Sequence, residues 1–231
     1  MPQHRPRGIH GQTVEILASR ILSNEYPEGA TLDLPTLRAE LDVSLTALRE
    51  ALKVLSAKGM IDARQKRGTF VQPRSSWNML DADVMRWHTA AVADPGLFDQ
   101  LTEVRAVVEP AAARLAAERA TSSDLSALSA ALESMAAATD VDAAVAADIT
   151  FHRALLMATH NDFLTQIAAI IAIGLAERDK FVHHANPSDP IPSHQAVLDA
   201  VAAHDPLAAE AAMRALVDQS LADLKNVNGR E

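Results

Sequence analysis

The stretch LPTLRAELDVSLTALREALKVLSAKGMIDARQKRGTFV, residues 34–71, predicts two short helices followed by a β-hairpin. Leucines recur at helical spacing on both sides of the connection 42–44, and Gly59 ends the second helix. The repeating positions are Leu34, Leu37, Leu41, Leu48, Leu52 and Leu55. Two such helices about one turn apart form a helix-turn-helix.

The second of these helices carries a polar face suited to a DNA groove. Thr46, Arg49 and Lys53 follow one another at spacings of three and four residues, so one hydroxyl and two cations point the same way. Arg49 can bind guanine with both arms of its guanidinium, whereas Lys53 suits a phosphate. We therefore expect this helix to enter a major groove.

The predicted hairpin has strands over 60–64 and 69–73, joined by a turn that contains Lys66, Arg67 and Gly68. Such a basic tip fits a minor groove or the DNA backbone. The alternative is a small helical cap with ordinary surface charges. The combination of two helices with a basic hairpin favours a winged DNA-binding domain.

This part of the chain resembles the N-terminal domain of GntR-family transcription regulators. The resemblance rests on Val43-Ser44, LREAL at 48–52, GMI at 59–61 and RGTFV at 67–71. It implies DNA contacts at Arg38, Ser44, Thr46, Arg49 and Gly68. The arginine that usually follows Val-Ser in the family is Leu45 here, so we expect an altered operator.

Composition favours a cytoplasmic protein of two domains. The chain has 231 residues, 48% of them hydrophobic, and no cysteine, so any metal must be held by His, Asp or Glu. Its longest apolar run, 167–176, is shorter than a membrane span. Residues 1–75 carry 11 Lys and Arg against 8 Asp and Glu (+3), and residues 76–231 carry 10 against 22 (−12), which sums to −9. Attraction to DNA must therefore come from the first domain.

We expect a DNA-binding domain over 1–74, a linker over 75–80 where periodicity is lost, and an all-helical domain over 81–231. Breaks at turn and capping residues divide the last part into six or seven helices. Its leucine and alanine stripes predict an antiparallel helical bundle. The fold class is thus mainly α, with a winged helix-turn-helix in front of the bundle.

Four polar residues stand where the bundle helices should be apolar. Asp148 and His152 are one turn apart on one apolar stripe, His194 lies on another, and Arg105 on a third. One aspartate and two histidines can coordinate Zn²⁺, Ni²⁺ or Mn²⁺. The alternatives are core histidines bonded to their neighbours and, for Arg105, a structural ion pair with a carboxylate such as Asp148 or Glu109.

The helical domain resembles the FCD effector domain of the FadR-type branch of the GntR family. The matching motifs are EVR at 103–105, VEP at 108–110, the Asp148, Phe151 and His152 group, and the His194 helix. In members that bind metal, the resemblance implies Asp148, His152 and His194 as ligands. A fourth ligand is expected 22 residues beyond His194, where this chain has Leu216. Metal binding therefore stays open.

Two further strings, WNMLDADVMRW at 77–87 and AAERATSSDL at 116–125, are similar to members of this branch that repress sugar-acid catabolism of the D-galactonate kind. By analogy the effector is a sugar acid, which suits a pocket of cations, carboxylates and imidazoles. The expected effector-binding residues are Arg105, Asp148, His152, His194, Asn161, Arg178 and Gln219.

The sequence thus predicts a homodimeric repressor that binds palindromic operator DNA and is released by its effector. A regulator or activator that responds to gluconate, a hexuronate or a fatty acid is the alternative within the same fold. A metal-dependent enzyme with a DNA-binding module is the alternative from another class. Against the enzyme, the sequence contains no nucleophile motif and no glycine-rich phosphate loop.

Overall fold

The computed structural model divides the chain into two compact units, residues 1–93 and 94–231. It describes the backbone of residues 8–91, 95–183 and 189–228, and the side chains of 11–91, 96–176 and 189–222. Within these ranges, none of the helices combines the length and the apolar character that a membrane span requires.

The first unit is a winged helix-turn-helix, as the sequence predicts. Its elements are α1 (Gly8–Leu22), α2 (Leu34–Glu40), α3 (Leu45–Ala57), β1 (Ile61–Arg64), β2 (Gly68–Val71), a short 3₁₀ turn (Arg74–Ser76) and α4 (Ala82–Ala91). The two strands are antiparallel, with Ile61 opposite Val71 and Arg64 opposite Gly68. The first strand begins one residue later than predicted, and the second runs over 68–71 instead of 69–73.

The starts of α2 and α3 are set by side-chain caps. The Asp33 carboxylate accepts from the backbone amide of Thr36, and the Ser44 hydroxyl accepts from that of Ala47 at 3.1 Å. Each cap satisfies one of the amides left free at a helix start. The tight connection between the helices therefore follows from short polar residues that the sequence places there.

Gly59 ends α3 because no larger residue fits. Its φ is 75°, in the left-handed region, and a Cβ built there would lie 2.1 Å from the backbone oxygen of Ser76. The chain after the wing thus passes directly against the end of α3. Glycine permits both the turn and this close approach.

Helix α4 packs on the first unit, whereas the sequence analysis assigned it to the helical domain. Val84 and Trp87 are buried in the same core as the leucines of α1 and α3. The Arg86 guanidinium donates two hydrogen bonds to the Glu15 carboxylate of α1, at 2.7 and 3.1 Å. The loss of periodicity at 75–80 marks a turn inside this unit, because α4 folds back onto its core.

The second unit consists of helices in its described part. They are α5 (Pro95–Arg119), α6 (Ser122–Ala136), α7 (Val141–Met157), α8 (Asp162–His183), α9 (Ile191–Ala202) and α10 (Pro206–Asn228). Helix α10 packs along α5 and α9, and α7 packs between α6 and α8. Short connections between long helices produce the expected antiparallel bundle. Pro110 lies inside α5, which continues across it.

Apolar side chains of α5, α6, α7, α9 and α10 form the main core of this unit. A second cluster joins α5, α7 and α8 around Leu156, Ile171 and Leu175. Helix α7 contributes to both clusters, so its side chains are enclosed on two sides. Among the polar residues of α7, His152 is buried together with these apolar side chains.

Candidate functional site

The predicted DNA-binding face of α3 is exposed in the structure. Thr46, Arg49 and Lys53 are all exposed, while Leu48 and Leu52 on the opposite face are buried. Lys53 Nζ lies 2.6 Å from Glu50 Oε1 in a pair that solvent screens on both sides. Because this ion pair is weak, Lys53 can exchange Glu50 for a DNA phosphate. Arg49 lies one helical turn before Lys53 on the same face.

The two other predicted contacts of the helix-turn-helix lie on either side of the turn. Arg38 is exposed in the last turn of α2. Ser44 is exposed and caps α3 through its hydroxyl, so it also fixes the start of the helix that carries Arg49. Leu45, which follows Ser44, is 40% exposed at the first position of α3. An apolar side chain thus occupies the place where the resemblance leads us to expect a cation.

The wing presents its cations in two different ways. Lys66 is exposed at the tip of the hairpin with a φ of 70°, and Gly68 follows with a φ of 79°. The Arg67 guanidinium lies 3.6 Å from the centroid of the Phe70 ring, a cation–π contact that the sequence analysis missed. Lys66 is therefore the freer cation, whereas Arg67 is held against the wing itself.

In the second unit, Asp148, His152 and His194 come together as predicted. One ligand atom from each residue lies within 4.8 Å of the other two. Asp148 Oδ1 is 3.0 Å from His194 Nε2 and 3.7 Å from His152 Nε2. The imidazoles are almost fully buried, and the carboxylate is 15% exposed. Helices α7 and α9 thus place three donors on one point near the surface of the bundle.

The tautomer of His194 tests whether this cluster fits a cation. Its Nδ1 lies 2.7 Å from the backbone oxygen of Pro190, which only accepts, so Nδ1 carries a proton. In a neutral ring, Nε2 then presents a lone pair to the Asp148 carboxylate at 3.0 Å. Two acceptors at that distance repel each other unless a proton or a metal ion lies between them. The donor set therefore fits a divalent cation, with a protonated imidazole as the alternative.

Arg105 and Glu109 lie behind His152 and form a fully buried ion pair. Arg105 Nε is 3.1 Å from Glu109 Oε1, and Arg105 Nη2 is 3.2 Å from Glu109 Oε2. Burial by itself raises the pKa of Glu109, but the adjacent Arg105 guanidinium, together with the contact to His152, outweighs burial and lowers that pKa to about 2. Arg105 also donates to the Ser220 hydroxyl at 3.3 Å.

Glu109 was one of the partners expected for Arg105, and the structure has this pair. Neither Glu109 nor Ser220 was predicted as a site residue. The spacing of four residues between Arg105 and Glu109 was the available signal, because it places both side chains on one helix face. Ser220 carried no such signal, since it comes from α10.

The remaining predicted effector residues are Asn161, Gln219 and Arg178, and none of them is part of the contacts described for this cluster. The Asn161 side chain accepts from the backbone amides of Phe163 and Leu164 and so caps α8. Gln219 is exposed on α10, next to Ser220. The Arg178 side chain lies outside the described residues. Their assignment to the effector pocket stays a prediction.

Leu216, at the position where the family resemblance suggests a fourth metal ligand, is buried in the main core of the bundle. It shares that core with Phe151, which precedes His152, and with Val197, which lies three residues beyond His194. An apolar side chain there supplies no donor atom. The described donor set of this centre is therefore one carboxylate and two imidazoles.

Comparison with known proteins agrees with both units. Residues 10–71 match the model for bacterial regulatory proteins of the gntR family, and residues 100–219 match the FCD domain model. Neither match includes α4. The winged helix-turn-helix and the helical bundle are thus recognised as two separate domains.

Two relatives cover most of the chain. The galactonate operon transcriptional repressor of Escherichia coli is 38% identical over 91% of this chain and 94% of its own length. The transcriptional regulator LutR of Bacillus subtilis is 30% identical over 84% of this chain and 91% of its own length. The resemblance to repressors of sugar-acid catabolism drawn from 77–87 and 116–125 therefore extends over nearly the whole sequence.

A solved structure supports the fold. It is the structure of Lar, which controls the expression of the Listeria monocytogenes agr system, with a TM-score of 0.67 and 17% identity over 96% of this chain and 99% of that one. At this identity the likeness concerns the fold alone. Together with the two domain matches and the relatives, it leads to one assignment: the chain belongs to the GntR family of bacterial transcription regulators and carries an FCD domain as its helical unit.

Proposed function

We propose that this regulator represses genes of sugar-acid catabolism and is released from its operator by a sugar acid of the D-galactonate kind. The observation that carries the proposal is the cluster of Asp148, His152 and His194 in the FCD domain. The similarity to the galactonate operon repressor supports the class of effector. The protein acts where operator DNA lies, in the bacterial cytoplasm.

Operator binding is assigned to α3 and the wing. Thr46, Arg49 and Lys53 enter the major groove, with Arg49 reading a guanine and Lys53 neutralising a phosphate. Lys66, with Arg67 and Gly68, lies along the backbone or the minor groove. Arg38 and Ser44 approach the phosphates beside the helix. A homodimer presents two such readers to a palindromic operator.

The effector is assigned to the polar cluster of the bundle. Hydroxyl groups of a sugar acid can donate to the Asp148 carboxylate and to an imidazole lone pair, and the carboxylate of the acid requires a positive charge. A divalent metal held by Asp148, His152 and His194 supplies that charge and a site for anionic oxygen. Arg105 is a weaker candidate for this role, since Glu109 already balances its charge.

Release follows if the effector binds one arrangement of the dimer better than the other. A few kcal/mol of differential affinity are enough to move most of the population. Helix α5 carries Arg105 and crosses Pro110, which cannot donate a backbone hydrogen bond. We place the flexing point of the bundle there.

The test is a gel-shift titration on the DNA upstream of the protein's own gene, with D-galactonate, D-gluconate and a hexuronate added in turn. We expect binding that one of these acids relieves. Asp148→Asn should bind the same DNA and no longer respond. Asp142→Asn, on the exposed side of the same helix, is the matched control and should respond normally.

Three outcomes would contradict parts of the proposal. Binding that no sugar acid relieves would remove the effector class, and a fatty acid would then be tested as the ligand. A normal response of Asp148→Asn would remove the cluster from the pocket. Conversion of the acid to a product in the same tube would support the enzyme alternative.

A further inference from the structure

The buried pair of Arg105 and Glu109 surrounds the His152 ring with groups of fixed hydrogen-bonding character. Glu109 Oε1 lies 3.3 Å from His152 Nδ1, and Arg105 Nη2 lies 3.4 Å from His152 Nε2. All three side chains are at most 2% exposed. Because a carboxylate only accepts and a guanidinium only donates, each ring nitrogen faces a neighbour of one kind.

This arrangement selects one tautomer of His152. A proton on Nδ1 lies beside the Glu109 carboxylate, 3.3 Å from Oε1 although outside hydrogen-bond geometry, and the lone pair on Nε2 then faces Arg105 and Asp148. The opposite tautomer would set a lone pair against the carboxylate and an N–H group against the guanidinium. Both contacts would then be repulsive, so the surroundings favour the first tautomer on two counts.

We infer that Glu109, held in place by Arg105, is a positioning residue that keeps the proton of His152 on Nδ1 and so presents the Nε2 lone pair to a divalent metal. The inference rests on the proposed function of the cluster as a metal and effector site. Glu109 itself contributes no ligand atom, because both of its oxygens bond to Arg105 and one also faces the ring.

The second imidazole of the cluster is oriented in the same sense. His194 Nδ1 donates to the Pro190 oxygen at 2.7 Å and directs Nε2 at Asp148. In both histidines, which lie on different helices, an oxygen acceptor is next to Nδ1 and Nε2 faces Asp148. A histidine that binds a metal needs this tautomer, because the metal binds the nitrogen that carries no proton. The hydrogen bond at the protonated nitrogen orients the ring.

The role of Arg105 changes accordingly. Its guanidinium lies 3.4 Å from His152 Nε2, which is long for a hydrogen bond, so a metal ion at this nitrogen would displace only a weak contact. Its stronger contacts go to Glu109 and to the Ser220 hydroxyl. Arg105 therefore acts through Glu109, and its charge is not the primary anchor for an effector carboxylate.

The first experiment measures the tautomer directly. Full-length protein labelled with ¹⁵N in its histidines is stripped of metal with EDTA, and long-range ¹H–¹⁵N spectra are recorded at pH 8. The His152 signals are assigned by their loss in His152→Asn. A neutral ring with its proton on Nδ1 is the expected result, and either a proton on Nε2 or a doubly protonated ring overturns the inference.

The second experiment measures metal affinity. Glu109→Gln and the exposed control Glu103→Gln, both on α5, are titrated with Zn²⁺, Ni²⁺ and Mn²⁺ against a chromophoric chelator. Loss of an outer carboxylate of this kind lowers metal affinity by about 10–100-fold, which we expect for Glu109→Gln and not for Glu103→Gln. Equal affinity of Glu109→Gln and the wild type overturns the inference.

These results are separable from the proposed function. The tautomer is read in the wild-type protein without metal, effector or DNA, so it stands even if Glu109→Gln does not fold. A wild type with the expected tautomer that binds none of the three metals contradicts the metal site alone. An unexpected tautomer in a protein that still responds to a sugar acid contradicts only the role of Glu109.

Discussion

Lys58 and Asp81 join the end of α3 to the chain beyond the wing, with Nζ 2.7 Å from Oδ1. Lys58 follows the last residue of α3, and Asp81 precedes the first residue of α4. The same ammonium group lies 2.9 Å from Asp83 Oδ2 and 5.5 Å from the centroid of the Trp87 ring. The Lys58 ammonium group therefore connects α4 to the end of α3.

Removing that cation should loosen the first unit. We expect Lys58→Ala to lower the free energy of unfolding by about 1–2 kcal/mol, because charged hydrogen bonds to two carboxylates are lost together. Both tryptophans of the chain, Trp77 and Trp87, lie in this unit, so their fluorescence during urea unfolding reports on it alone. Lys53→Ala is the control, since its ion pair is exposed and should change stability by less than about 0.5 kcal/mol.

The stabilisation should also depend on pH. Burial raises the pKa of Asp83, but Lys58 and Arg86 outweigh burial and leave that pKa below its usual range. A depressed carboxylate pKa stabilises the fold above the usual value and loses this effect as the pH falls through the lowered one. The difference between wild type and Lys58→Ala should therefore shrink on acidification below about pH 4. A constant difference down to pH 2 would argue against this pair as its source.

Alanine substitutions at Gly59 and Gly29 can distinguish the cost of backbone strain from the cost of steric overlap by the added Cβ. Both have a left-handed φ, 75° and 79°, but an added Cβ would lie 2.1 Å from the Ser76 oxygen at Gly59 and 3.7 Å from its nearest neighbour, Arg67, at Gly29. Gly29→Ala should cost about 1–2 kcal/mol from backbone strain alone. Gly59→Ala should cost clearly more, measured by the same fluorescence, and equal costs would contradict the close approach.

Arg49 and Lys53 should differ in what they contribute to operator binding. Arg49→Ala should weaken specific binding by about 1–3 kcal/mol and relax selection at one base pair, because a bidentate contact to guanine is lost. Lys53→Ala should weaken binding to every sequence alike and lower the salt dependence by about one phosphate. Circular dichroism checks the fold, and unchanged operator affinity of a folded Arg49→Ala would exclude this helix as the reader.

Leu45 should affect which operator is preferred. An exposed apolar side chain at the start of α3 can contact a thymine methyl group, whereas arginine at the same place selects guanine. Leu45→Arg should therefore shift selection from thymine to guanine at one position of a randomised operator. Ala57→Arg, at the other end of α3, adds the same charge and should leave that preference unchanged. A Leu45→Arg protein with the wild-type base preference would show that this position does not face a base.

Much of the fold could be predicted because it depends on local patterns. The leucine spacing over 34–55, the capping residue Ser44 and the glycine at 59 each act within a few residues of chain. The same is true of the helix breaks at Thr121 and Asp140, both of which cap the following helix. The winged helix-turn-helix and the bundle were therefore predicted correctly.

The place of α4 could not be read in this way. Its apolar residues fit any core, and only the packing of Val84 and Trp87 against α1 and α3 decides which one they join. The stacking of Arg67 on Phe70 was missed for a similar reason, because it depends on the exact register of the hairpin. In both cases the contacts depend on packing or strand register, which the spacing of residues along the sequence does not reveal.

The candidate centre combines both kinds of information. Sequence by itself determined that Asp148 and His152 share a helix face, since four residues make about one helical turn. The tertiary structure brings His194 from α9 to them, as the family resemblance implied, and it alone decided that Glu109 from α5 meets His152. Helical periodicity orients side chains on one helix, but the free energy of the whole core chooses which helices face each other, and that choice gives the site its chemistry.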